Sequence, residues 1–187
     1  MSNRDKKFFD WAYFENAAKY FYGMDRIHLT GGEPTIHNKF EEFVPNFKKL
    51  FGCNRLTIET NGFLFKRNPG IFAYFDEIYC THYRADSFPG SPDNSEDIAF
   101  IKEYWKSVPQ IKIWDIDIKH VSREERGTKI CPRGTSETLG YSNGKLYPCC
   151  VASGLPERDT GIPLTENWRT EILEVVHPCD ICFFALK

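Results

Sequence analysis

Four β-prone runs, residues 26–30, 55–60, 77–83 and 111–120, recur at intervals of 25 to 35 residues with helical or loop segments between them. That rhythm limits the fold more than any other feature, because strands joined through helices pair in parallel with right-handed crossovers. It predicts an α/β fold with a sheet that is either open or curved as part of a (βα) barrel. Residues 4–22 carry Phe8, Trp11, Ala12, Ala18, Phe21 and Tyr22 without a breaker and read as a helix ended by Gly23. A second helix is expected from an Asn38 cap, with Glu41 three residues on and Phe40, Phe43, Val44, Phe47, Leu50 and Phe51 on one face; Pro45 interrupts that pattern. Arg55–Thr60 alternates as a strand and ends in the turn signal Asn61-Gly62, and a weaker helical stretch leads to the third strand.

After a Pro/Gly/Ser-rich loop over 87–95, residues 96–106 place Ile98, Ile101 and Trp105 on a helical face. In the fourth run the apolar parity shifts from Ile111 and Ile113 to Ile116 and Ile118, which predicts a bulge or bend near Trp114. Beyond it Asp115, Asp117 and Lys119 share one face. Ligands bind at the carboxyl ends of parallel strands, so Asp117 and Lys119 are candidate substrate contacts, a solvated charge cluster being the alternative.

The chain changes character after residue 130. Five of its seven cysteines, Cys131, Cys149, Cys150, Cys179 and Cys182, fall there, and the odd total argues against a disulfide framework. Ser142-Asn143-Gly144-Lys145 between β-prone runs is a hairpin signal. Such a hairpin brings the backbones at Cys131 and Cys149 near one another, and Cys179-x-x-Cys182 adds a local pair of thiolates. Four sulfurs suit zinc or an iron–sulfur cluster alike. Cys150 is an alternative to Cys149, and His177 could serve as a fourth ligand, whereas Cys53 and Cys80 read as structural. The division expected is a βα domain over 1–125 and a small metal-binding module over 126–187.

Lys plus Arg number 24 against 26 Asp plus Glu, a net charge of −2, so no global pull toward nucleic acid or an anionic membrane is encoded. No stretch reaches the roughly 20 apolar residues of a membrane span, and the opening Met-Ser-Asn-Arg-Asp-Lys-Lys has no signal-peptide hydrophobic region. A cytoplasmic protein is the expectation.

Gly31-Gly32-Glu33-Pro34 follows the strand-like Arg26-Ile27-His28-Leu29-Thr30, where a βα loop holds a ligand. It resembles the GGEP motif of radical S-adenosylmethionine enzymes. The cysteine spacing Cys131, Gly144, Cys149, then Cys179-x-x-Cys182, resembles the twitch and SPASM auxiliary-cluster modules of the same enzymes. The two motifs sit at opposite ends of the chain. The resemblance implies that Gly31, Gly32 and Glu33 approach the methionyl amine of S-adenosylmethionine and that Pro34 stiffens the turn. It likewise implies that Glu59 and Asn61 of Glu59-Thr60-Asn61-Gly62 lie beside the cofactor, and that Thr81 and His82 sit where ribose or substrate is contacted. Cys131, Cys149, Cys179 and Cys182 would hold an auxiliary [4Fe-4S] cluster in preference to Zn2+.

The family's catalytic cluster rests on a CxxxCxxC loop that this sequence lacks. The resemblance places that loop, with one strand, upstream of the helix over 4–22, so the domain reads as N-terminally trimmed. Intact relatives cleave S-adenosylmethionine reductively and use the resulting radical on a substrate, here an unknown small molecule or peptide. The missing loop implies a truncated or split form, inactive alone, with a second polypeptide as a possible source of the loop. The alternative is a non-enzymatic iron–sulfur or zinc protein acting in electron transfer, sensing or partner binding. His28 and His37 read as surface or satisfied histidines.

Overall fold

The computed structural model describes residues 9–83, 93–106, 112–117, 139–147 and 161–172, with the main chain alone at 112 and 114–117. Cys131, Cys149, Cys150, Cys179, Cys182, His177 and Lys119 lie outside the described residues, as does the Asp117 side chain. The chain divides into two compact units, Met1–Lys119 and His120–Lys187.

In the first unit, α1 (Trp11–Phe21) is capped by Asp10, whose carboxylate accepts from the Tyr13 amide at 2.9 Å. It leads into β1 (Arg26–Leu29). A 3₁₀ turn over Pro34–Ile36 precedes α2 (Phe40–Phe51), which buries Phe40, Phe43, Val44, Phe47 and Phe51. This helix runs unbroken through Pro45. Its acids Glu41 and Glu42 lie in the first turn and Lys48 and Lys49 in the last, the arrangement that suits the helix dipole. Lys39, without a side-chain bond, occupies the cap position expected of Asn38; the Lys39 amide instead donates to His37 Nδ1 at 3.1 Å. Trp11 and Phe14 of α1 meet Phe43 and Phe47 of α2 at ring distances of 4.9–5.9 Å.

After β2 (Arg55–Thr60) the chain forms two 3₁₀ segments, Phe65–Arg67 and Pro69–Tyr74, where a weak helix was expected. Asn68-Pro69-Gly70 breaks the α pattern. Phe65 and Phe72, both buried, stack at 4.1 Å across the break. β3 (Glu77–His82), α3 (Ser95–Trp105) and β4 (Lys112–Asp117) complete the unit.

The four strands lie side by side in chain order, β1-β2-β3-β4, and all pair in parallel. A sheet whose order never reverses, with right-handed crossovers, carries its connecting segments on one face. On that side lie Leu56, Ile58, Ile78 and Cys80, each at 0% exposure, an apolar layer for α2 and α3. β3 and β4 pair one for one from Glu77↔Lys112 to His82↔Asp117. Of the bulge or bend expected near Trp114, the bulge is absent over the described residues: no extra residue enters the ladder between 112 and 117.

In the second unit, β5 (Gly140–Ser142) and β6 (Lys145–Tyr147) form the expected hairpin. Asn143 and Gly144 both take positive φ, 51° and 75°, as a two-residue turn of the I′ type requires. β7 (Ile162–Pro163) adds an antiparallel third strand. The short α4 (Trp168–Glu171) buries Trp168 and is clasped by Thr165, whose hydroxyl donates to Glu171 at 2.9 Å. Among the described residues no helix is long and apolar enough to cross a membrane.

Candidate functional site

The carboxyl ends of β1, β2 and β3 surround a pocket of about 100 Å³ lined by Thr30, Gly31, Gly32, Glu33, Glu59, Thr60, Asn61, Thr81 and Tyr83. Parallel strands all deliver their ends to one rim, so residues far apart in sequence converge there. Gly31 turns the chain at φ +146°, and at both Gly31 and Gly32 the space a Cβ would fill is open. The backbone of the loop thereby faces the pocket directly.

Glu33 works first as a strut. Its Oε1 accepts from the Thr35 amide at 3.1 Å, the Thr35 hydroxyl at 2.6 Å and the Thr60 hydroxyl at 2.7 Å, while Oε2 accepts from the Asn61 amide at 2.7 Å. One carboxylate thus caps the 3₁₀ turn that Pro34 opens and ties the β1 loop to the end of β2. Asn61 continues the tie, its side chain accepting from the Phe63 amide at 3.0 Å.

Glu59 is held differently. Its nearest hydroxyls are long contacts, Thr30 at 3.3 Å and Thr81 at 3.5 Å, and His28 Nε2 lies 3.7 Å from Oε2. The His28 imidazole beside it holds its carboxyl below the usual range; burial pulls the other way, and the Thr30 and Thr81 hydroxyls add to the lowering. Tyr83, on the same pocket wall, is pushed up by burial and by the charges of Glu59 and Glu33.

His82, the proposed substrate residue, leaves this rim. Its Nε2 lies 2.8 Å from the Ser95 hydroxyl, which donates in turn to Asp93 at 2.6 Å, so the imidazole is engaged at the start of α3. Its strand neighbour Thr81 lines the pocket instead. The main chain of Asp117 pairs with His82 at the end of β4.

Two residues not expected at the site help to build it: Asn94, which carried no motif, and His28, read from the sequence as a surface or satisfied histidine. Asn94, at 1% exposure, donates to the carbonyls of Asn61 at 2.6 Å and Thr81 at 2.8 Å and accepts from the Tyr83 amide at 2.7 Å. His28 crosses the sheet face, its Nδ1 2.8 Å from the Thr57 hydroxyl and its ring edge-on to Tyr79 at 5.4 Å. Asn94 closes a loop rich in turn formers, and a lone histidine on a short strand carries no pattern, so neither offered a local signal.

A larger cavity of about 470 Å³ lies behind the loop, among Ile36, His37, Phe40, Arg67, Ile71 and Phe72, and includes no strand-end residue. Among the described residues no group of three His, Cys, Asp or Glu side chains could hold a metal ion. Cys53 and Cys80 are buried, and burial pushes the Cys53 thiol up.

Fold and site together define an α/β protein with a sequentially ordered parallel sheet and a small polar pocket at its carboxyl rim. No family model matches the chain. Short stretches are similar to two GTP 3',8-cyclases: 38% identity over 45 residues with that of Alkaliphilus oremlandii, and 35% over 46 residues with that of Haemophilus ducreyi. These matches take in 24% and 25% of this chain and 14% of each cyclase. The fold is similar to that of BtrN in an open conformation, with a TM-score of 0.54 and 14% identity over 92% of this chain and 79% of that one. Taken together, the sequence matches and the shared fold support a relation to the radical S-adenosylmethionine superfamily.

Proposed function

We propose that this chain is a radical S-adenosylmethionine-type iron–sulfur protein whose loop pocket receives the methionyl end of the cofactor. The observation that carries the reading is the locking of Glu33 to Thr60 and Asn61, which presents the open backbone of Gly31 and Gly32 toward the pocket. At about 100 Å³ the pocket is well under the roughly 300 Å³ of a whole-ligand site, so it suits one end of a larger molecule. The residues fit that end: Glu33 and Glu59 attract an ammonium group, and the Thr30 and Thr81 hydroxyls can supply hydrogen bonds.

Cys131, Cys149, Cys179 and Cys182 hold an auxiliary [4Fe-4S] cluster in this reading, with Zn2+ as the competing occupant. When bound, a cluster of the CxxxCxxC type supplies the electron that cleaves S-adenosylmethionine. That motif must come from outside this sequence, which contains none. The protein's own part is to bind and orient the cofactor and a substrate on the sheet rim.

Anaerobic purification, reconstitution with iron and sulfide, and measurement of iron, sulfide and zinc per chain test the cluster. One [4Fe-4S] cluster is expected, lost when Cys179 and Cys182 become Ala; zinc without sulfide would turn the reading to a structural metal module. Calorimetric titration with S-adenosylmethionine tests the pocket: Glu33→Gln should weaken binding, and an unchanged titration would remove that role.

A further inference from the structure

The cavity of about 470 Å³ behind the loop shares no lining residue with the rim pocket, and its size falls in the range of roughly 300–1,000 Å³ usual for small-molecule sites. Phe40, Ile71 and Phe72, each nearly buried, give it apolar lining. Ile36, on the same lining, is 44% exposed, an aliphatic side chain that packing within the unit leaves open to solvent. Covering that surface favours a ligand with an apolar body.

The polar groups of the lining select the other end of that ligand. Two neighbouring cations of the 3₁₀ segment Phe65–Arg67 are placed differently: Lys66 pairs with Asp97 at 3.0 Å, whereas the Arg67 guanidinium lines the cavity with no ion pair or hydrogen bond among the described residues. The side-chain amide of Asn68, next on the lining, is likewise without a hydrogen bond among them. His37 adds no charge. Its Nδ1 accepts from the Lys39 amide at 3.1 Å and its Nε2 donates to the Phe9 carbonyl at 2.8 Å, the neutral tautomer with both nitrogens engaged. Glu41, the acid of the lining, stands in the first turn of α2, where the helix dipole favours its charge. The group left to be answered is therefore one guanidinium, whose planar fork of donors matches a carboxylate. A doubly charged phosphate would meet that single cation together with repulsion from Glu41, so a monoanion is the better fit.

We propose that this cavity is a binding site for an apolar monocarboxylate, its carboxylate held by Arg67 and Asn68 and its hydrocarbon body set against Ile36, Ile71 and Phe72. The site is separate from the rim pocket, and it stands whether or not the rim receives S-adenosylmethionine.

The test uses protein labelled with ¹³C at the isoleucine δ1 methyls, with Ile36 and Ile71 assigned through Ile36→Val and Ile71→Val and with Ile101 of α3 as the remote reference. 3-Phenylpropionate is the probe, 3-phenylpropionamide its neutral counterpart, and acetate the charge without the apolar body. The probe should shift Ile36 and Ile71 saturably and leave Ile101 in place, and the amide and acetate should each bind at least about tenfold more weakly. Arg67→Gln, at an exposed position, should weaken the probe by about tenfold or more, the loss of a charge-assisted hydrogen bond, and leave the response to the amide at the parent's level. An unchanged Ile101 signal shows that the variant is folded. Ile36 and Ile71 indifferent to the probe up to its solubility limit, equal movement of Ile101, an equal affinity for the amide, or an Arg67→Gln titration matching the parent's would each overturn the proposal. S-adenosylmethionine alone should leave Ile71 in place. If it moves Ile71 and 3-phenylpropionate displaces it, the cavity serves the cofactor and the proposal fails.

Discussion

Asn94 donates to the backbone carbonyl of Asn61 at 2.6 Å, joining two residues 33 apart in the chain and fixing the loop after β2 against the start of α3. The same amide binds the Thr81 carbonyl and accepts from the Tyr83 amide, so one side chain holds three pieces of backbone at the pocket rim. Asn94→Leu keeps a similar volume but strands two carbonyls and an N–H away from water. A loss of about 3 kcal/mol is expected, read as a lower urea midpoint with an unchanged slope. A midpoint equal to the parent's would show that the rim is held by other contacts.

Gly62 sits at φ +78°, and a Cβ there would stand 2.8 Å from Ile101 Cδ1. Gly62→Ala should cost about 1–2 kcal/mol through backbone strain and crowding together. Adding Ile101→Val removes the crowding methyl and should restore only part of that stability, because the positive φ remains. Full recovery in thermal unfolding would assign the whole cost to the clash.

Glu33 governs loop order before it governs any ligand. Glu33→Ala removes the acceptor from the Thr35 and Asn61 amides. Hydrogen exchange at those two amides should speed by about tenfold, one hydrogen bond's worth, while amides of α2 keep their protection. Equal acceleration throughout the unit would mean that the residue supports the whole fold.

The lowered pKa of Glu59 gives a signed pH dependence. A group whose folded pKa is depressed contributes stability above its unfolded pKa and loses it as the pH falls through the folded value. The parent should therefore exceed Glu59→Gln in stability near neutrality, with the advantage shrinking as the pH falls below the ordinary glutamate range and through the lowered folded value. Parallel stability curves down to acid would show that Glu59 has no favourable charge interaction in the folded state.

Much of the sheet was legible in advance because each strand announces itself locally. Leu56 and Ile58 alternate with Thr57 and Glu59, and Asn61-Gly62 marks the stop. The hairpin was equally plain, since Asn143-Gly144 suits a turn that needs two positive φ angles. What escaped was set by contacts across the chain. The helix expected after β2 gave way to 3₁₀ turns at Asn68-Pro69-Gly70, held by the stacking of Phe65 on Phe72. Asn38 lost the cap to Lys39 because His37 supplies the acceptor from a neighbouring position. His82 looked like a rim residue by its place at a strand end, yet the pleat sends it toward Ser95, and Thr81 takes the rim.

The alternation along β2 has a further meaning for how such a protein can change. Ile58 and Glu59 are adjacent in sequence but belong to different selective regimes, one buried at 0% exposure against the helices and the other open at the pocket. Position 59 can be exchanged for another polar side chain while Leu56, Thr57 and Ile58, all at 0% exposure, keep the unit folded. Divergence toward a new substrate thus requires few simultaneous replacements, and the scaffold can persist while its ligand changes.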